Sequence, residues 1–201
     1  SDTVNSLAIR STKNTDEYTL FASTSTFLFV YQLNDSETMF DFVLSADAIG
    51  IDDQLRFKGI TSIASDNDRN ILYINDRVRK QIYKTEVKTI INKDRTGIRK
   101  IKFLDSIGGR GEDVTNFNDN TYIEYGNNNL FVYDFFNKSI KKFSSDFQYK
   151  IEYNNNKLFT DNEFVSMTYN NTFDLLYVLT KTYTVLVLNA NNLNEVDRYT
   201  L

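Results

Sequence analysis

Apolar residues in this chain come in runs of only four to six, rich in Ile, Leu, Val, Phe and Tyr, and nearly every run is closed by Asn, Asp, Ser or Gly. Runs so short cannot carry the apolar stripe of a packed helix, which must recur every three to four residues over several turns. They suit strands joined by tight turns. They also recur in four groups of four.

The third group is the clearest: Thr121–Tyr125, Leu130–Asp134, Ser139–Phe143 and Gln148–Ile151, separated by turns at Asn127–Asn129, Asn137-Lys138 and Ser145-Asp146. The second reads Ile60–Ala64, Ile71–Asp76, Gln81–Lys84 and Ile101–Leu104. The fourth reads Val165–Tyr169, Leu175–Leu179, Thr184–Leu188 and Val196–Tyr199. The first, the most diverged, reads Val4–Ile9, Tyr18–Ala22, Phe27–Tyr31 and Met39–Leu44. The repeats span residues 4–44, 60–105, 121–153 and 164–201, and are expected to belong to a single domain, 1–201. Leu7, Ile63, Ile123 and Met167 are expected at equivalent first-strand positions, 56, 60 and 44 residues apart. The shortest period is that of a four-stranded blade. The excess in the longer two falls in Ser45–Lys58 and Glu86–Arg99, polar stretches expected to form loops.

The second strands choose the architecture. Leu130-Phe131-Val132 is apolar at consecutive positions, which calls for burial on both faces, whereas a sandwich strand with one wet face would alternate. A blade held between neighbouring blades meets that demand. The expected fold is therefore all-β: a β-propeller of four-stranded antiparallel blades, about four of them present. Asn, about one residue in eight, tolerates left-handed backbone and bonds to its own main chain, so it is expected to fill tight turns in a chain with seven Gly and no Pro. Enrichment in Asn, Ile, Lys, Tyr and Phe also matches the coding bias of an AT-rich genome.

The absence of His and Cys excludes a Ser-His-Asp triad, a Cys-His pair, thiolate or imidazole zinc and disulfides from this chain. Any divalent metal would need oxygen ligands alone. Asp66-Asn67-Asp68-Arg69-Asn70 opens like a calcium loop, but Ile71 stands where the glycine belongs and Arg77 where the bidentate Glu belongs. Gly108-Gly109-Arg110-Gly111 lacks the Lys-Ser/Thr of a phosphate loop and reads as a turn between blades. Glu112-Asp113 and Asp52-Asp53 are adjacent carboxylates, which does not place them across a substrate. Asn34-Asp35-Ser36, Asn137-Lys138-Ser139 and Asn170-Asn171-Thr172 are glycosylation sequons that matter only in a secreted protein. No catalytic residue, metal ligand or cofactor is assigned. Arg77, Arg79, Lys80 and Lys84 of the second repeat align with Lys138, Lys141 and Lys142 of the third; stacked in register they would form an anion- or nucleic-acid-binding surface. The net charge of −4 argues against nucleic acid as the principal partner. No apolar run approaches the roughly 20 residues of a membrane span.

Ser106 to Phe147 resembles an NHL repeat: a Gly-rich entry loop (Gly108-Gly109-Arg110-Gly111), a strand through Ile123, an apolar strand Leu130–Tyr133 ending in Asp134, then Asn137 and a basic-apolar strand Ile140–Phe143. Ile71 to Tyr83 resembles the same motif through Asp76 and Ile82. The resemblance implies a larger ring of six or seven blades, completed by further blades of the parent chain or by other protein subunits. The expected role is a non-catalytic scaffold for protein interaction, extending to a virion or phage-tail component in a virion or extracellular setting. Two alternatives are an RNA-binding propeller using the basic face and a propeller enzyme whose channel site is completed by residues outside this segment.

Overall fold

Eighteen strands and one short helix make up the described part of the computed structural model, which covers residues 3–11, 18–33, 39–49, 55–91, 97–111, 113–161 and 163–200. Sixteen of the strands form four antiparallel four-stranded meanders. The first contains β1 (Ser6–Ser11), β2 (Tyr18–Ser23), β3 (Leu28–Leu33) and β4 (Phe40–Ala46). After a small hairpin, β5 (Ala48–Ile49) and β6 (Leu55–Arg56), the second contains β7 (Ile60–Asp66), β8 (Ile71–Asp76), β9 (Gln81–Ile91) and β10 (Gly97–Gly108). The third contains β11 (Asn120–Gly126), β12 (Asn129–Asp134), β13 (Ser139–Ser144) and β14 (Tyr149–Asn154). After the helix α1 (Asn156–Asp161), the fourth contains β15 (Phe164–Asn170), β16 (Leu175–Thr180), β17 (Thr184–Asn189) and β18 (Glu195–Thr200). The chain divides into two compact units, Ser1–Ile107 and Gly108–Leu201, each holding two of these blades.

In the first unit, one face of each blade supplies a shared core: Phe21, Leu28 and Val30 from the first meet Ile63, Leu72, Ile74 and Tyr83 from the second. The two innermost strands are also sewn together. The Ile63 N–H donates to Ser6 Oγ (3.1 Å) and the Ser65 hydroxyl donates to the Ile9 carbonyl (2.8 Å). In the second unit, Phe131, Tyr133 and Ile140 of the third blade pack on Met167, Leu176, Val178, Leu186 and Leu188 of the fourth. Every residue of β12 is buried, the two-faced burial its continuous apolar run calls for.

Three expectations need correction. Ile63, Ile123 and Met167 pair with Ile74, Val132 and Val178, each three residues before the end of its first hairpin pairing. The residue in that place on β1 is Ala8, opposite Phe21, not Leu7. Leu7 pairs with Ala22, points to the other face and is 62% exposed. A shift of one residue exchanges the two faces of a strand. Next, Glu86–Arg99 is not simply a loop: β9 runs on to Ile91 and β10 starts at Gly97. Ser45–Lys58 likewise contains the β5–β6 hairpin and sends Ile49 and Phe57 into the core.

The turns use a device beyond Asn. Lys80, Lys138 and Tyr183, each the last residue before the third strand of its blade, adopt left-handed backbone (φ 59°, 53° and 59°). In the second and third blades a carboxylate at the end of the preceding strand braces this turn. Asp76 Oδ1 accepts the Arg79 N–H (3.1 Å), and Asp134 Oδ1 accepts the Asn137 N–H (3.2 Å). Asn127 and Asn128 are left-handed as expected. Gly126 has a different reason for being Gly: a Cβ there would lie 2.0 Å from the Tyr169 ring.

Candidate functional site

The seven aligned basic residues fall in different environments. Arg77 is exposed, while Arg79, Lys80 and Lys84 are half-buried in the first unit. The Arg79 guanidinium donates to the Arg56 carbonyl (3.0 Å) and lies 3.9 Å from the buried Asp76 carboxylate. In the second unit Lys138 is half-buried, its ammonium 3.6 Å above the Phe135 ring centre. Lys141 and Lys142 are only 3% and 4% exposed and cannot form part of a surface as expected. Lys141 Nζ lies 3.0 Å from Asp134 Oδ2 and donates to the Asn116 carbonyl (3.3 Å). Lys142, on the opposite face of β13, donates to the Ala190 and Asn191 carbonyls of the fourth blade (2.7 and 3.0 Å). Burial pulls its ammonium pKa below the usual lysine range, and Lys150 nearby adds to the effect.

Lys141 forms part of the wall of a cleft of about 770 Å3 on the third blade. Its floor follows from register. Lys141 stands opposite Glu152, and Ser139 stands opposite both Asp134 and Asn154, so these side chains share one face of the sheet. Glu152 and Asn154 line the cleft. The buried Ser139 hydroxyl in the same row has no hydrogen-bond partner among the described residues. The opposite wall is the segment after the Gly-rich loop, which contributes Asp113, Val114, Asn116 and Asn118. Phe117 anchors that segment, its ring edge-on to Phe143 (6.0 Å between centres) and its N–H donating to the Gly109 carbonyl (3.1 Å). Gly111 has φ 150°, and a Cβ there would meet Asn116 Nδ2 at 2.6 Å, so the loop needs a residue without a side chain. Phe136 and Asn137, from the β12–β13 turn, complete the rim.

The cleft is polar and carries an excess of carboxylates. The Thr115 backbone N–H and hydroxyl hold the Asp113 carboxyl below its ordinary range, so it is ionised at neutral pH. Glu152 adds a second carboxylate, and the Lys141 charge is already matched by Asp134. No group of three or more His, Cys, Asp or Glu that could hold a metal occurs among the described residues. Asp66, the first residue of the calcium-like stretch, instead accepts the Asp68 and Arg69 N–H groups in a hairpin turn (2.9 and 3.2 Å). Asp52-Asp53, Glu112 and the Asn34-Asp35-Ser36 sequon lie outside the described residues. No helix among the described residues is long and apolar enough to cross a membrane.

A second polar constellation lies between the two blades of this unit. Asp174 accepts from Asn127 Nδ2 (3.1 Å), Asn191 Nδ2 (3.3 Å) and the Tyr169 hydroxyl. Close by, Glu124 Oε1 accepts the Tyr169 N–H (3.3 Å), and burial pushes the Glu124 carboxyl up to about 7 from 4.5. The folded state therefore holds a proton that the unfolded chain has released. This carboxyl leaves stability intact below about pH 4.5 and erodes it as pH climbs through about 7. We expect a loss on the order of 2 kcal/mol, because the half-buried group keeps some solvent screening. Thermal unfolding across that range should show the decline in the native protein and a flatter profile in Glu124→Gln.

The cleft was not anticipated from sequence. The one local sign of it was the Gly-rich loop followed by seven polar residues in the next nine, which reads equally well as a connection between blades.

No family model and no curated protein matches the sequence of the chain. Among solved structures, 881 chains match in fold. One of them, described as "Structure of U3-55K", superposes on 99% of this chain with a TM-score of 0.65 at 10% identity. The chain spans about half, 52%, of the length of that chain. Likeness at this identity establishes fold alone. The chain has the β-propeller fold, with four blades of four antiparallel strands.

Proposed function

We propose that this chain is a non-catalytic scaffold whose first blade stacks against a further β-blade supplied by the parent chain or another subunit. The observation that carries the reading is the face of the first blade turned away from the second. Leu7, Ala22 and Phe29 form one cross-strand row on it, and Ile9, Leu20, Tyr31 and Phe42 form the next. Leu7 is 62% and Phe42 59% exposed, and Phe42 meets Tyr31 edge-on at 5.8 Å. An apolar sheet face of this kind is usually covered in the working assembly. The other face of the same blade already packs on a blade, which is why a blade is the expected occupant. The lack of His and Cys supports a non-catalytic role.

The finer parts of the reading rest on composition and motif. The third-blade pattern from Gly108 to Phe143 supports kinship with NHL repeats, and the Asn- and Ile-rich, Pro-free composition supports a virion component such as a phage-tail protein. The RNA-binding alternative is weakened by Lys141 and Lys142, whose charges are committed inside the fold. The test is mass in solution by sedimentation equilibrium. The chain should self-associate as concentration rises, and Leu7→Asp with Phe42→Asp should abolish association while leaving the circular dichroism spectrum unchanged. A soluble monomer at every concentration, unaffected by the two substitutions, would sink the proposal.

A further inference from the structure

We propose that the third-blade cleft is a binding site for a neutral saccharide. Its volume, about 770 Å3, lies within the roughly 300–1,000 Å3 usual for small-molecule sites. Its chemistry narrows the ligand class. Asp113 and Glu152 bring two carboxylates, and the Lys141 charge is matched by Asp134, so the cleft repels anions such as phosphates and nucleic-acid backbones. The wall has too few apolar side chains to desolvate a lipid or a steroid, and no metal-ligand cluster occurs among the described residues.

What remains is a ligand that both donates and accepts many hydrogen bonds without carrying charge. Asn118, Glu152 and Asn154 line the cleft and make no side-chain hydrogen bond among the described residues. An amide presents two donors and one acceptor oxygen, and an ionised carboxylate accepts only; vicinal hydroxyls satisfy both kinds of group at once. Beside them Phe136, 65% exposed at the rim, offers an aromatic face to the C–H side of a pyranose ring. A large aromatic side chain left in water at the mouth of a polar cleft has no role in this unit's core, whereas stacking on a sugar gives it one. The site lies wholly within the second unit, so it stands independently of what covers the first blade.

The test titrates the full, isotopically labelled chain with three probes, cellotriose, maltotriose and triacetylchitotriose, and follows backbone and Asn side-chain amides by NMR. At least one trisaccharide should give saturable shifts concentrated at Asn116, Asn118 and Asn154. Phe136→Ala and Asn154→Ala should each weaken that binding by about tenfold or more. Both residues are solvent-exposed, so both variants should keep the native spectrum elsewhere. Phe173→Ala, an equally exposed ring outside the cleft, should leave binding unchanged. The proposal is overturned if no probe saturates in the millimolar range, if Phe173→Ala weakens binding as much as Phe136→Ala, or if inorganic phosphate displaces the sugar.

Discussion

Replacing Lys141 by Met should destabilise the second unit by about 3–5 kcal/mol, and the loss should come from what is left behind. Met fills most of the volume and keeps an apolar stem over the Phe117 ring, where the lysine ammonium now sits 5.4 Å from the ring centre. It leaves Asp134, a fully buried carboxylate, without its counter-charge. Two bonds from Asn137 would remain, one from the side-chain amide to Oδ2 (2.7 Å) and one from the N–H to Oδ1 (3.2 Å). They place the loss toward the lower end of the range. The double variant Lys141→Met with Asp134→Asn should recover most of it, because no buried charge is then unpaired. Urea unfolding midpoints for the two single variants and the double variant measure this directly. Equal losses in Lys141→Met and the double variant would mean that lost packing, not the stranded carboxylate, sets the cost.

Phe131→Ala should cost about as much, 3–5 kcal/mol, for an unrelated reason. The ring is fully buried between blades, stacked on Tyr169 with centres 6.2 Å apart, and has the Lys142 ammonium 5.9 Å from its centre. Truncation opens a cavity among side chains fixed by two sheets, so little can collapse into it. Leu7→Ala is the useful contrast. If Leu7 held the place of Ile123 or Met167, its truncation would cost 2–5 kcal/mol; with its side chain in water it should cost less than about 1 kcal/mol in the monomer. Paired denaturant melts of Phe131→Ala and Leu7→Ala therefore test the core and the register of β1 together.

The strand pattern was readable because turn chemistry and apolar runs agree at every hairpin of the third blade, from Asn127-Asn128 to Ser145-Asp146. It failed by one residue on β1 for a physical reason. There the apolar residues, Leu7 and Ile9, point outward, and the inward places hold Ser6, Ala8 and Arg10. A reading that assigns the larger apolar set to the core picks the wrong face. The helix α1 escaped notice because a single turn has no periodicity to detect. Its signals are Asn155, whose side chain accepts the Leu158 N–H (2.9 Å), and the two buried residues Leu158 and Phe159. Lys141 and Lys142 were read as surface because lysines almost never lie fully buried. The partners that bring them inside are Asp134 across a hairpin and carbonyls some fifty residues away, and only the fold makes the second set visible. The cleft has the same character: its polar residues come from a loop, a turn and two strands, no two of which announce each other in the chain.

The two hydrophobic clusters have a consequence for how the protein is made. All the side chains of the first cluster lie between Ala8 and Phe103, and all those of the second between Tyr122 and Leu193. On a ribosome, the first core is complete in sequence before any residue of the second has been added. It can close while the rest of the chain is still being synthesised, so its apolar faces need not wait, exposed, for the C-terminal half. Force measured on stalled nascent chains should then show two separate pulls, the first soon after Phe103 clears the exit tunnel; a single late pull would mean that the two cores form together.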